Sequence, residues 1–440
     1  MNRVKPNVQR FSFVYMLDIG YIKSLLHLSL STFCSRTQTM PSLHNKSSCF
    51  DSFPSSTHKF EALDDDRLLK WAQNYMENHG TVLSDEVYLT ILKACVKKKS
   101  LITAKKLQSH IISLRSKSSE ILCLINEHLI LALAKCGAID DAIDVFDGLC
   151  VRTVFSWTAI ISGFMENGRY LESLHAHEYM QVEGVEPDRF TFISLFQACG
   201  NLSNLEKGKE LHTLAKKKGL SSNVFVGNTL VNMYGKCGSI PDAEYAFSGL
   251  VCRSVVSWTA MISAYVGNDC LYKALLLYRQ MREDGVTPNN QTFACLFHAC
   301  GILADMEGSF TNTMVLKIGI ALHVDALRAG YCSDLYVGTT LIGMYSKCRV
   351  IEFAESVFTT LSKHNVASWT AMLSAFVEQD QGDKALLLYR QMCEEGVRPN
   401  EHTLVSLLQA CCTIVEKEKQ FPEGQIMKER TLYIGQSIHA

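Results

Sequence analysis

At 440 residues the chain exceeds what a single compact core usually holds, which leaves several domains or a repeat array. Apolar residues make up 47% and charged residues 20%, an ordinary folded composition. The formal net charge of -1 excludes a globally basic nucleic-acid binder, so any electropositive surface has to be local. No run of roughly 18 apolar residues occurs, so the sequence offers no membrane span.

Residues 1–49 stand apart from the rest. They carry Arg3, Lys5, Arg10, Lys23, Arg36 and Lys46 against one acid, Asp18, with hydroxyl-rich stretches such as Ser29-Leu30-Ser31-Thr32. A basic, hydroxylated, acid-poor leader has the composition of an organelle import signal; a disordered tail is the alternative. Residues 50–84 hold a degenerate first repeat unit, recognisable from Met76 and Gly80.

From about Leu63 the chain is helical and periodic. Asp85 to about Ser119 forms one unit and Cys123 to Thr153 a shorter one. Three units then follow as Val154–Asp188, Arg189–Asn223 and Val224–Ser254, and the cycle restarts at Val255 and again at Val366. Trp157, Trp258 and Trp369 each sit in Ser-Trp-Thr-Ala, spaced 101 and then 111 residues apart. Pro187, Pro288 and Pro399 close Gly-Val-x-Pro motifs at the same spacing. Such self-similarity decides the architecture before any single element does.

Val255–Asn289 shows the unit most clearly. Trp258, Met261, Ile262 and Tyr265 lie at i, i+3, i+4, i+7 on one helical face; Leu271, Ala274, Leu275, Tyr278 and Met281 repeat that spacing. Gly267-Asn268-Asp269 breaks the first helix and offers a polar cap for the second. Gly285 and Pro288 end the hairpin. Helices this short are marginal alone, so the unit needs neighbours. The cysteines recur with the units: Cys95, Cys199, Cys300 and Cys411 share one position, and Cys136, Cys237 and Cys348 another. Thiols at repeat positions without Cys-x-x-Cys read as core packing rather than metal ligands.

Units of long, variant and short length in fixed rotation resemble the plant pentatricopeptide repeat family, in particular its subclass with three repeat lengths. The resemblance covers roughly residues 63–440. It implies an all-α fold, a right-handed α-solenoid of helix–turn–helix repeats with an extended concave surface. The expected organisation is a transit segment 1–49, degenerate repeats 50–122, and an array over 123–400. Within the array, short units fall at 123–153, 224–254 and 335–365, long units at 154–188, 255–289 and 366–400, and middle units at 189–223 and 290–334. A partial middle unit, 401–440, follows. The 290–334 unit is ten residues longer than its counterpart, and the excess aligns near Phe310 to Gly319 inside the second helix. A surface loop or retained intron sequence would account for such an excess; if it belongs to the mature protein, it is expected to split the stack between Asn289 and Thr339. A further charged excess lies between Cys412 and Tyr433. Gly435 to Ala440 aligns with Gly208 to Thr213 in mid-helix, so the array is expected to be truncated there.

No Walker loop and no Gly-x-Ser-x-Gly elbow occurs, and the His-x-Glu and Pro-Cys-x-x-Cys signatures of a zinc deaminase are missing from the sequence. The reading is therefore not an enzyme, and no cofactor or metal is implied. His175-Ala176-His177 reads as a solvated helix face. The three Trp residues read as core, and Lys97-Lys98-Lys99 and Lys216-Lys217-Lys218 as solvated charge runs.

By the family resemblance, each repeat reads one base of single-stranded RNA through its fifth and last residues. Carried onto this chain, the pairs are Thr158 with Asp188, Asn228 with Ser254, Thr259 with Asn289, Thr339 with Asn365, and Thr370 with Asn400. Thr with Asp then favours G, Thr with Asn favours A, and Asn with Ser favours C. Second residues Phe155, Val256 and Ala367 are expected to wedge between bases. Middle-unit fifth residues Leu89, Ile193, Ala294 and Val405 cannot hydrogen-bond a base edge and are assigned spacing. Glu127 with Thr153 fits no assignment. The resulting target has the form G-n-C-A-n-A-A. The expected partner is single-stranded organellar RNA, with a deaminase supplied in trans, or by a missing C-terminal domain, for cytidine-to-uridine editing in the mitochondrion or, alternatively, the chloroplast. Transcript stabilisation, splicing or processing, and a protein-binding scaffold, remain open.

Overall fold

The structure, a computed structural model, describes residues 64–78, 83–113, 119–306, 309–331 and 333–420 within the unit Pro54–Ala440. The leader expected over 1–49 lies outside the described residues, as does 421–440. Among the described residues there are 20 helices and no strand. In chain order, α1 is Asp65–Asn78, α2 Asp85–Lys98, α3 Leu101–Ser113, α4 Ser119–Lys135 and α5 Ile139–Asp147. Next come α6 Val154–Glu166, α7 Tyr170–Val182, α8 Arg189–Asn201, α9 Leu205–Lys217, α10 Val224–Lys236 and α11 Ile240–Ser248. The cycle repeats as α12 Val255–Val266, α13 Leu271–Glu283, α14 Asn290–Met306, α15 Ser309–Arg328, α16 Leu335–Lys347 and α17 Ile351–Thr360. It closes with α18 Val366–Glu378, α19 Gly382–Glu394 and α20 Glu401–Gln420.

From α2 onward the even-numbered helices open a hairpin and the odd-numbered ones close it. Each opening helix packs on the next opening helix, α4 on α6 and so on to α18 on α20, and each closing helix packs on its own partner and on the next opening helix. The fold is an α-solenoid in which a repeat touches only its neighbours. The opening helices form its tightly stacked row. A β-carbon on Gly163 would fall 2.6 Å from Ala134 Cβ, and one on Gly235 2.6 Å from Ala264 Cβ. Glycine permits these close approaches. Asn268 Nδ2 donates to Gly235 O at 2.8 Å and Ala264 O at 2.7 Å, tying adjacent opening helices at their ends.

Local chemistry explains the boundaries. Thr153, Asp188, Ser254 and Asn365 each form a capping box at the start of an opening helix. Gly285 takes φ 73°, and Val286 N–H donates to Met281 O at 3.0 Å, a left-handed terminus that a β-carbon would strain. The polar cap expected before α13 is not formed. Its N-cap is Cys270 without a side-chain bond, and Asp269 instead takes φ 56° where the earlier hairpin has Gly168 at φ 77°.

Trp157, Trp258 and Trp369 are buried. They meet Phe146, Phe247 and Phe358 edge to face at 4.8, 5.1 and 5.0 Å. Cys95, Cys199 and Cys300 are fully buried, and burial pushes each thiol up to about 12. His177 does not belong to a solvated face. It is 1% exposed, neither ring nitrogen has a partner, and burial lowers its pKa to about 4. Three of the six lysines in the two runs form ion pairs, Lys97 with Asp65, Lys98 with Asp66 and Lys218 with Glu186.

Closing helices are joined by ion pairs running from repeat to repeat. Lys106 meets Glu77, Lys105 meets Asp141 at 2.7 Å, Arg169 meets Asp140 at 2.7 Å and Lys207 meets Glu178 at 3.4 Å. Lys209 then meets Asp242 at 2.8 Å and Lys273 meets Glu244 at 2.9 Å. Among the described residues no such pair reaches α15 from either side; Tyr278 donates to Asp325 Oδ2 at 3.0 Å instead. The pattern resumes with Lys384 and Glu355 at 3.5 Å.

The long middle unit does not split the stack. Its extra residues lengthen both helices, α14 to 17 residues against 13 in α8 and α15 to 20 against 13 in α9. Register recovers before Gly319, whose β-carbon would meet Met344 Sδ at 2.3 Å as that of Gly208 would meet Met233 Sδ at 2.6 Å. His323 bonds Tyr345 at 2.8 Å as His212 bonds Tyr234 at 2.8 Å. Extra turns at the far end of a hairpin leave its stacking surface intact, so α14 packs on both α12 and α16.

Candidate functional site

The residues singled out by the repeat register lie along one edge of the opening helices. The last residue of each unit is the N-cap of the next opening helix; the fifth residue begins the second turn of its own. The second and fifth residues, three apart, share a helix face. Phe155 (39% exposed), Val256 (54%) and Ala367 accordingly project beside Thr158, Thr259 and Thr370. Phe190, Phe225 and Tyr336 occupy the same second position in other units and are also exposed, so the apolar row is longer than the long units alone suggest.

At each long-to-middle junction the structure joins the fifth and last residues through a third one. Thr158 Oγ1 lies 2.7 Å from Thr191 Oγ1, which donates to Asp188 Oδ1 at 2.8 Å. Thr259 Oγ1 lies 2.7 Å from Thr292 Oγ1, which donates to Asn289 Oδ1 at 2.8 Å. Thr370 Oγ1 lies 2.7 Å from Thr403 Oγ1, which donates to Asn400 Oδ1 at 2.8 Å. The linking threonines are fully buried. Thr158 and Thr370 are half-buried, whereas Thr259 is 4% exposed.

The cap dictates what each last residue leaves available. Thr292 N–H donates to Asn289 Oδ1 at 2.8 Å, so the amide oxygen faces the helix and Nδ2 faces away as a donor. Thr191 N–H donates to Asp188 Oδ1 at 2.9 Å, which leaves Oδ2 as an acceptor. Thr403 N–H donates to Asn400 Oδ1 at 2.9 Å in the same way. Capping and outward presentation are therefore compatible in one side chain.

The short units differ. Thr339 Oγ1 donates back to Leu335 O at 2.7 Å, while the exposed Asn365 caps Ser368 N–H at 2.9 Å. Asn228 is 6% exposed and its Oδ1 has no partner; Ser254 caps Ser257 N–H at 3.4 Å. Thr153 Oγ1 donates to Glu127 Oε1, which brings together a fifth and a last residue that the sequence leaves unassigned. Among the middle-unit fifth residues, Ala294 is buried, Leu89 and Ile193 are half-buried and Val405 is exposed. The linking threonines were not singled out from the sequence. Their signal was present as Thr at the third place of Arg189-Phe190-Thr191, Asn290-Gln291-Thr292 and Glu401-His402-Thr403.

Among the described residues no group of three or more His, Cys, Asp or Glu is placed to hold a metal ion, and no helix is long and apolar enough to cross a membrane.

Comparison with known proteins finds pentatricopeptide repeats in this chain. The model of the PPR repeat family matches residues 152–201, 253–301 and 364–413, and that of the pentatricopeptide repeat domain matches 177–237. A pentatricopeptide repeat-containing protein of Arabidopsis thaliana is 34% identical over 304 residues, 69% of this chain and 40% of that one. A mitochondrial one from the same plant is 32% identical over 340 residues, 77% and 47% of the two chains. A chloroplastic one is 30% identical over 342 residues, 78% and 38%. The chain thus spans less than half the length of these relatives. In three dimensions it resembles the pentatricopeptide repeat protein PPR10, crystallised with an 18-nt psaJ RNA element. The TM-score is 0.54 over 80% of this chain and 56% of that one, at 14% identity.

Proposed function

We propose, from the premise that this chain is a pentatricopeptide repeat protein, that it binds single-stranded RNA in an organelle and reads bases through the fifth and last residues of its repeats. The observation that carries this is the threefold recurrence of one polar arrangement at the long-to-middle junctions. A donor Nδ2 on Asn289 or Asn400 suits adenine N1, and an acceptor Oδ2 on Asp188 suits the N–H groups of guanine. The partnerless Asn228 oxygen suits the amino group of cytosine. The exposed row of Phe155, Phe190, Phe225, Val256 and Tyr336 supplies sequence-tolerant contact between bases. The target has the form G-n-C-A-n-A-A.

The rotation of three repeat lengths supports membership of the subclass with long, variant and short repeats, and with it the choice of a transcript site for cytidine-to-uridine editing, by a deaminase recruited in trans or carried on a further C-terminal domain. Organellar residence, in mitochondrion or chloroplast, is supported by the leader composition and by the names of the relatives.

The test is binding of a synthetic RNA containing GUCAUAA, measured across a salt series. Retention that falls with salt, and that weakens when the fourth base is replaced, supports the proposal. Binding with no dependence on salt or sequence points to a protein scaffold. Thr259→Asn with Asn289→Asp should move the fourth-base preference from A toward U; an unchanged preference overturns the register.

A further inference from the structure

Resting on that base-reading proposal, we infer that Thr292, with its counterparts Thr191 and Thr403, is a positioning residue that sets the direction of the hydroxyl proton on the reading threonine. The inference starts from hydrogen-bond valence. A threonine hydroxyl has one proton to give and two lone pairs to receive with. Thr292 gives its proton to Asn289 Oδ1 at 2.8 Å and receives Asn289 N–H at 3.3 Å. Its remaining lone pair receives the proton of Thr259, 2.7 Å away. Thr259 therefore has no proton left for a base and turns lone pairs outward. The same count closes at Thr191, which gives to Asp188 Oδ1 at 2.8 Å and receives Asp188 N–H at 3.3 Å and Thr158 at 2.7 Å. There the choice of guanine falls to Asp188 Oδ2 alone, which accepts its N1–H and amino group, while Thr158 offers O6 no proton. It closes again at Thr403 with Asn400 and Thr370.

A second, independent observation is the covariation along the chain. Polar fifth residues Glu127, Thr158, Asn228, Thr259, Thr339 and Thr370 are each followed in the next unit by a hydroxyl at the third place: Ser156, Thr191, Ser257, Thr292, Ser368 and Thr403. Apolar fifth residues Leu89, Ile193 and Ala294 are followed by Ile125, Val226 and Val337. All of these third residues are buried, so core packing alone gives no reason for the alternation. The three threonines among these hydroxyls meet the fifth residue of the preceding unit, whereas Ser156, Ser257 and Ser368 bond their own N-cap residues Thr153, Ser254 and Asn365.

The chemistry follows at the adenine position. Asn289 Nδ2 donates to adenine N1 while Thr259 Oγ1 accepts from the adenine amino group. Guanine reverses both edges: its N1–H meets a donor and its O6 meets a lone pair. Freed from Thr292, the Thr259 hydroxyl rotates and donates to O6, and half of the penalty against guanine is lifted.

The test compares the full chain with its Thr292→Val and Thr292→Ser variants, using RNAs containing GUCAUAA and GUCGUAA. Valine keeps the shape and the backbone N–H that caps on Asn289, and removes only the hydroxyl. The wild type is expected to prefer A by about tenfold, valine to reduce that ratio to about threefold or less, and serine to restore it. Thermal unfolding by circular dichroism follows each variant, and Thr403→Val with a change at the seventh base provides the same measurement at a second junction. A valine variant that binds RNA and keeps the wild-type A:G ratio overturns the positioning role. A wild type that does not distinguish the two RNAs overturns the base-reading proposal itself.

Discussion

Asn289 Oδ1 accepts both the backbone N–H and the hydroxyl of Thr292, each at 2.8 Å, and these two bonds orient an amide that would otherwise be free to turn over. Replacing it with Asp keeps the capping oxygen and exchanges the outward donor for an acceptor, reproducing the Asp188 arrangement. Asn289→Asp alone should shift the fourth-base preference from A to G, with the A:G affinity ratio falling by about tenfold or more. Competition binding with the two RNAs measures it, and helix capping, read as thermal stability, should change little.

The edge-to-face pair of Trp258 and Phe247, at 5.1 Å, joins a long unit to the short one before it. Trp258 is fully buried. Trp258→Ala should cost about 3–5 kcal/mol. In a chain of nearest-neighbour interfaces the loss falls at one junction, so urea unfolding should change from a single transition to two.

His177 and His323 are buried, and desolvation lowers both to about 4. Each stays neutral in the folded chain, whereas the unfolded chain takes up a proton below about pH 6.5. The unfolded state binds more protons in that window, so stability falls as pH drops from about 6.5 toward 4. At pH 5 the loss is about 2 kcal/mol for each histidine. His177→Leu should flatten the pH dependence of the urea midpoint, because its ring nitrogens have no partners to lose.

Asp269 holds φ 56° at the turn between α12 and α13, where Gly168 serves the earlier hairpin. Asp269→Gly should stabilise the chain by about 0.5–1 kcal/mol, measured as a higher melting temperature with RNA binding unchanged.

Much of the fold was legible because it is repeated. The face Trp258, Met261, Ile262 and Tyr265 is buried as its spacing predicts, since helical periodicity and burial are the same fact seen twice. The terminus at Gly285 was legible from residue type. The linking threonines were not. A threonine near a helix start reads as an ordinary residue, and a partner 33 positions away is set by the stacking of two repeats. The length of the 290–334 unit suggested a rupture, because spacing alone does not reveal that extra residues can extend both arms of a hairpin beyond its stacking surface. His177 looked solvated beside His175 because adjacent polar residues on a helix carry no sign of which face a neighbour covers.

Among the described residues the ion-pair series along the closing helices has no member at α15, where Tyr278 and Asp325 meet instead, while the opening helices stack through it without a gap. The two edges of the coil are thus held by different chemistry: close-packed helices with glycines at the crossings on one side, and exposed charges that salt screens on the other.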